Sequence, residues 1–261
     1  MIDLLKAKLA FENYVKNYKI ENEKIRVKIE HIKRVSKISQ KIATNLELEQ
    51  EDIKLAELIG LLHDIGRFEQ IKRYNTFKDK ESINHGELGV HILFNQKDGL
   101  IREFINDKQY DEIIKKAILN HNKSLKEIEF DKLTARELLQ IKIIRDSDKI
   151  DILNILTYEK KEIAWEKEDL TKDKISDNIY KEFMEKQDID YNNRKTSADI
   201  LVSHFAYVFD FNFKESITYI NQKKYLEKIY NRFLFEDGQT MKRYINIYRK
   251  VQKYIKEKIG E

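Results

Sequence analysis

The chain has 261 residues, with 50 basic against 46 acidic side chains and a net charge of +4. That length supports a sizeable core, and so mild and scattered a positive excess lacks the clustered basic stripe that would indicate nucleic acid as a partner. Seven glycines, no proline and no cysteine argue against a many-turned β-sandwich or barrel and exclude disulfide and thiolate chemistry, which leaves an all-α, cytoplasmic protein of long helices.

Residues 2–18 and 22–44 read as two amphipathic helices, the second with Val27, His31, Val35, Ile38 and Ile42 at three- and four-residue steps. The N-terminal segment has no uninterrupted apolar stretch of the signal-peptide kind, and no run approaches the length that crosses a bilayer. A third helix is predicted over 52–65. The segment 66–82 is polar and reads as a loop carrying a short turn. Short helices follow at 86–95 and 99–106. A helix at 110–121 places Ile113, Ile114, Ala117, Ile118 and His121 on one side, and a long one spans 134–158.

Residues 159–193 are charged and weakly periodic, which predicts one or two exposed helices. Apolar density then rises in ADILVSHFAYVFDFNF, and 215–258 is helical and rich in tyrosine. No internal repeat or linker is visible. A boundary near 160 divides a domain at 1–160 from a helical C-terminal extension at 161–261 packed on the first part.

Several polar residues break the apolar stripes. His31 shares a stripe with Val35 and Ile38. His63 ends that of Ile59 and Leu62, His121 continues Ile114, Ala117 and Ile118, and Asp148 continues Ile141 and Ile144. Any one of these is read most simply as a buried group with an ordinary hydrogen bond. The adjacent pair His63-Asp64 is harder to place, because helix neighbours point about 100° apart. Several buried imidazoles and carboxylates share one solution: all are ligands for divalent cations, and coordination offsets the cost of burial.

The ordered set His31, His63-Asp64, Asp148 resembles the signature of the HD superfamily of metal-dependent phosphohydrolases. LLHDIGRF resembles that family's apolar-HD-I-G-K/R stretch. INHGELGVHIL and AILNHN resemble the segments carrying further histidines in two-metal members such as the HD-GYP phosphodiesterases, and RDSDKIDIL resembles the closing aspartate helix. The resemblance covers about 25–160. It implies an all-α HD-domain bundle in which His31, His63, Asp64 and Asp148 hold one metal, His85 and His121 complete a second, and Asp64 bridges. Asp146 and Asp151 compete for the closing position; the SDKID match and the helical spacing favour Asp148. His91 reads as lying behind the ligands or as structural. The GYP segment is missing and Asn122 follows His121, so cleavage of cyclic-di-GMP is not implied.

Two such cations suit phosphoester hydrolysis by an activated water. Four histidines favour Mn, Fe, Co, Ni or Zn over Mg. Arg67 is placed to grip a phosphate with paired hydrogen bonds; the competing reading is a surface ion pair with Glu69 or another acid. Lys149 contacts phosphate or extends outward, and Arg73, Tyr74 and Asn84 border the opening. Arg194, Lys195 and His204 are candidates to cover the pocket, with a buried structural histidine the simpler reading of His204. The partner implied is a small phosphorylated substrate, a nucleotide among the candidates. Two alternatives share the ligand set: a di-iron oxygenase of the HD fold, and a catalytically silent sensor.

Overall fold

The computed structural model describes residues 1–95, 97, 99–165, 169–185 and 189–260. Among them there is no strand, and the fold is all-α. The chain divides into two compact units, Met1–Asp148 and Lys149–Glu261. No helix among the described residues is long and apolar enough to cross a membrane.

The first unit contains α1 (Leu4–Val15), α2 (Glu23–Asn45), α3 (Gln50–Leu62), α4 (Gly66–Tyr74), α5 (His85–Phe94), α6 (Ile101–Phe104), α7 (Asp111–Asn120) and the first part of α8 (Ala135–Tyr158). Helix α2 begins where the Asn22 side chain accepts a hydrogen bond from the Lys24 amide, which satisfies one of the donors that a helix start leaves open. Its inner face buries Ile25, Ile29, Ile32, Val35 and Ile42. Helix α3 turns Leu55, Leu58, Ile59 and Leu62 to the same core, where Phe11, Phe68, Ile114, Ile118, Ile141 and Ile144 join them. Each such side chain contributes about 1.5–3 kcal/mol on burial.

Close approach of α2 and α3 depends on Gly60. A Cβ there would stand 2.7 Å from Ser36 Cα and 2.9 Å from Ser39 Oγ. The contact sets His31 on α2 beside His63 at the end of α3.

The structure departs from the sequence reading at several places. The segment 66–82 is not mainly loop: it holds α4, which buries Phe68 and Ile71 and ends at Asn75 in the left-handed conformation. Two apolar residues one turn apart are too few to register as a period. The helix predicted over 52–65 stops at Leu62, so His63 and Asp64 lie in a tight turn between α3 and α4. His91 is exposed on α5 rather than set behind the ligands. Finally, the stretch 215–258 is three helices, α12 (Lys214–Gln222), α13 (Tyr225–Tyr230) and α14 (Gly238–Ile259), with Lys224 left-handed at the first break.

The second unit begins with the end of α8 and continues through α9 (Lys161–Trp165), α10 (Asp177–Glu185) and α11 (Ser197–Phe205) to α14. In the described part of 159–193 the helices are not simply exposed: Trp165, Leu170, Ile175, Ile179 and Phe183 are buried. Helix α14 turns Tyr244, Ile247, Val251 and Ile255 inward at three- and four-residue steps. Around it Tyr230 stacks on Tyr248 at 4.1 Å, and Phe205 and Phe235 meet Tyr244 edge-on. Tyr230, Tyr244 and Tyr248 thus serve packing.

Candidate metal centre

Four imidazoles form a chain through the first unit. Ring centroids are 5.4 Å apart for His31–His63, 5.2 Å for His63–His121 and 5.0 Å for His121–His85. They come from α2, the α3–α4 turn, the start of α5 and the end of α7. All four are almost wholly buried, as is Asp64.

The carboxylate of Asp64 divides them. Its Oδ2 lies 3.5 Å from His31 Nε2 and 3.6 Å from His63 Nε2. Its Oδ1 lies 3.3 Å from His85 Nε2 and 3.7 Å from His121 Nε2. Asp148, from α8, adds Oδ1 at 3.1 Å from His31 Nε2 and 3.7 Å from His63 Nε2. Donor atoms bound at about 2.0–2.2 Å to one cation stand about 3–3.5 Å apart, so the spacing suits coordination. Three overlapping groups of these residues have ligand atoms close enough to hold a cation: His31–His63–Asp64, His63–His121–Asp148 and Asp64–His85–His121. Among the described residues Asp146 and Asp151, though buried, join none of them.

Proton positions make the case for a cation stronger than distance alone. His63 Nδ1 donates to the carbonyl of Gly60 at 2.8 Å, and His121 Nδ1 to that of Ile118 at 2.6 Å. A carbonyl can only accept, so in the neutral rings Nε2 carries a bare lone pair. His85 Nδ1 faces Asp79 Oδ2 at 2.6 Å, which leaves its Nε2 bare as well, 3.0 Å from His121 Nε2. Lone pairs therefore face lone pairs and carboxylate oxygens in a dry interior. His63 Nε2 and Asp64 Oδ1 have no hydrogen-bond partner among the described residues. Such an arrangement is costly unless positive charge lies among the donors, and the residues fit divalent metal.

The ionisation states agree. Burial pushes the His85 pKa down to about 3, with the Arg67 charge acting the same way against Asp79 and Asp64. Burial also lowers His63, against the pull of Asp64. For Asp64, burial works upward but is outweighed by Lys28 and His63, and the carboxyl stays well below its usual range; for Asp148, the neighbouring His31 and His63 outweigh burial in the same way. Neutral imidazoles beside ionised carboxylates are the protonation states that ligation needs.

His85 and His204 titrate at about 3 in the folded protein, whereas an unfolded histidine takes its proton near 6.5. The unfolded chain thus binds more protons on the acid side, and unfolding free energy falls as pH drops from about 6.5 toward 3. The depressed aspartates act in the same direction, since their stabilisation is lost as pH falls. Melting temperature should fall through this window; a constant value between pH 7 and 4 would contradict these assignments.

The sequence reading missed two residues. Asp79, from the polar segment before α5, holds His85 and also takes Arg67 Nη1 at 2.9 Å and Gln70 Nε2 at 2.9 Å. Its carboxyl lies below the usual range because hydrogen bonding from His85 and the Arg67 charge outweigh burial. It sits in a 3₁₀ turn with no periodicity to mark it. Lys28 Nζ is 2.6 Å from Asp64 Oδ2; its position three residues before His31 was a readable signal.

Arg67 makes its ion pair with Asp79, not Glu69, which pairs with Arg73 at 2.8 Å. Lys149 is buried with Nζ 2.8 Å from Asp210. Asn84 caps α5 by accepting from the Gly86 and Glu87 amides. His204 rests against Tyr207, and its Nδ1 has no hydrogen-bond partner among the described residues.

Removing an acid that orients a ligating histidine typically costs 10–100-fold in metal affinity. Asp79→Ala should show a loss of that size, with Arg67 also set loose. Titration with manganese checks it, and unchanged affinity would mean that His85 needs no such support.

Among protein-family models, that of the HD domain matches residues 29–153. The chain carries an HD domain. The match begins two residues before His31 and ends five after Asp148, so it encloses the whole histidine–aspartate cluster. HD domains bind divalent metal and are commonly metal-dependent phosphohydrolases, and the cluster in this one has the donors to hold metal. Comparison with curated proteins and with solved structures finds no match.

Proposed function

We propose that this HD protein is a metal-dependent phosphohydrolase cleaving a small phosphoester, with nucleotides among the candidate substrates. His31, His63, Asp64 and Asp148 would hold one divalent cation and His85 and His121 a second, with Asp64 shared. The observation that carries the reading is the division of the Asp64 carboxylate, one oxygen toward each pair of imidazoles. The imidazole-rich set favours Mn, Fe, Co, Ni or Zn.

Bound cations would supply hydroxide near neutral pH and neutralise charge on the phosphoryl oxygens. The chain supplies the rest. Gly60 and Ile118 carbonyls aim His63 and His121 through Nδ1. Arg67 Nη1 is fixed by Gln70, the Phe77 carbonyl and Asp79. Its Nε is 3.6 Å from Asp64 Oδ1 and lacks a hydrogen-bond partner among the described residues, which leaves it available to a phosphoryl oxygen. Asp64 and Arg67 are thus the catalytic residues of the proposal. Lys149 would reach a phosphate only by leaving Asp210. A cysteine-free chain acting on a phosphorylated metabolite suits the cytoplasm.

Metal analysis of the purified protein, joined to a screen of phosphomonoesters, phosphodiesters and nucleotides with each metal, tests the reading. Stoichiometric metal and chelator-sensitive hydrolysis are expected. Metal without hydrolysis of any substrate would overturn it, and iron-dependent oxygen uptake would place the protein with oxygenases of this fold instead.

A further inference from the structure

Lys28 is a cation that ligation does not use. It lies three residues before His31 on α2, so both side chains leave one face of the helix. Its Nζ meets Asp64 Oδ2 at 2.6 Å with 13% of the side chain exposed. Arg67 addresses the other oxygen of the same carboxylate, Nε to Oδ1 at 3.6 Å, with 15% exposed. One ring joins the two cations: Phe77 has its centroid 5.4 Å from Lys28 Nζ and 5.8 Å from the Arg67 guanidinium carbon, within cation–π range. Charge balance for one carboxylate requires one cation. Arg67, moreover, already has Asp79.

We infer that Lys28, Arg67 and Phe77 form an oxyanion seat, in which Lys28 is a second phosphate-binding cation opposite Arg67. The inference rests on the phosphohydrolase reading above. Asp64 engaged in metal ligation no longer needs Lys28 as its counter-charge, and the ammonium's best remaining partner is then an incoming anion. The flexible stem lets the head turn while it stays over the ring. Arg67, held rigid by Asp79, offers a planar contact, and Lys28 a movable point charge. Two cations beside the metal ligands suit a dianionic terminal phosphate, which has charge and oxygens for both, better than the single charge of a diester. The substrate class assigned is therefore a phosphomonoester.

Calorimetric titration of manganese-loaded protein with inorganic phosphate tests this on wild type, Lys28→Met and Lys28→Arg, with manganese content measured for each. Loss of one charge-assisted contact should weaken phosphate binding about tenfold or more in Lys28→Met, at unchanged manganese content, and Lys28→Arg should restore most of it. Equal phosphate affinity in Lys28→Met would overturn the inference and leave Lys28 as a counter-ion to Asp64. Manganese loss in that variant would overturn it as well, by making Lys28 a support for the ligand. Cleavage of phosphodiesters alone by the wild type would sink the assigned substrate class while sparing the phosphohydrolase reading. A manganese-loaded wild type that neither binds phosphate nor hydrolyses any phosphoester would show that the underlying reading had failed first.

Discussion

Asp64→Ala should lose metal and hydrolysis together, with activity falling by roughly 10³ or more, beyond the 10–100-fold that losing an outer partner costs. The reason is its double duty. Each of its oxygens faces a different pair of imidazoles, so one truncation removes a donor from both subsites. It also leaves the Lys28 ammonium, mostly sheltered, without its 2.6 Å partner, which costs some stability. Metal content by mass spectrometry, phosphate release, and circular dichroism to verify folding check the prediction. An active, metal-loaded Asp64→Ala protein would remove Asp64 from the centre of the site.

The second large effect is expected at Gly66, far less conspicuous than the ligands. It opens α4, against the start of α5. A Cβ there would overlap the carbonyl of His85 and approach the Gly89 amide nitrogen to 2.7 Å. Both obstacles are backbone, so no rotamer change relieves them. Overpacking of this kind costs about 1–3 kcal/mol and occasionally more. Gly66→Ala should therefore lower the melting temperature by roughly 5–10 °C and, by pushing α5 outward, displace His85 and weaken the subsite it shares with His121. Gly238, where an added Cβ meets nothing within 4 Å, is the control: Gly238→Ala should leave both stability and metal binding intact. Equal behaviour of the two variants would show that the α4–α5 approach is looser than described.

Helical spacing exposed His31, His63, His121 and Asp148, because each interrupts an apolar stripe, and burial of an imidazole or carboxylate asks for a reason. His85 opens its own helix, so no preceding stripe marked it; only the resemblance of INHGELGVHIL to the family pattern pointed there. Asp79 was invisible for a related reason. Its importance comes from a turn that brings it to His85 Nδ1 and Arg67, and such a turn leaves no period in the sequence. Lys28 was legible in position but not in meaning, since a lysine on an amphipathic helix ordinarily faces water. The turn at His63-Asp64 was hidden because α3 and α4 are joined by residues that are themselves apolar or buried. That turn, not helical geometry, allows adjacent side chains to reach one cluster.

The most direct measurement is anomalous diffraction from crystals grown with manganese. Two peaks are expected on either side of the Asp64 carboxylate, about 3.5–4 Å apart as in two-metal sites, one beside His31, His63 and Asp148 and the other beside His85 and His121. No peak within the cluster, or manganese bound elsewhere on the chain, would contradict it.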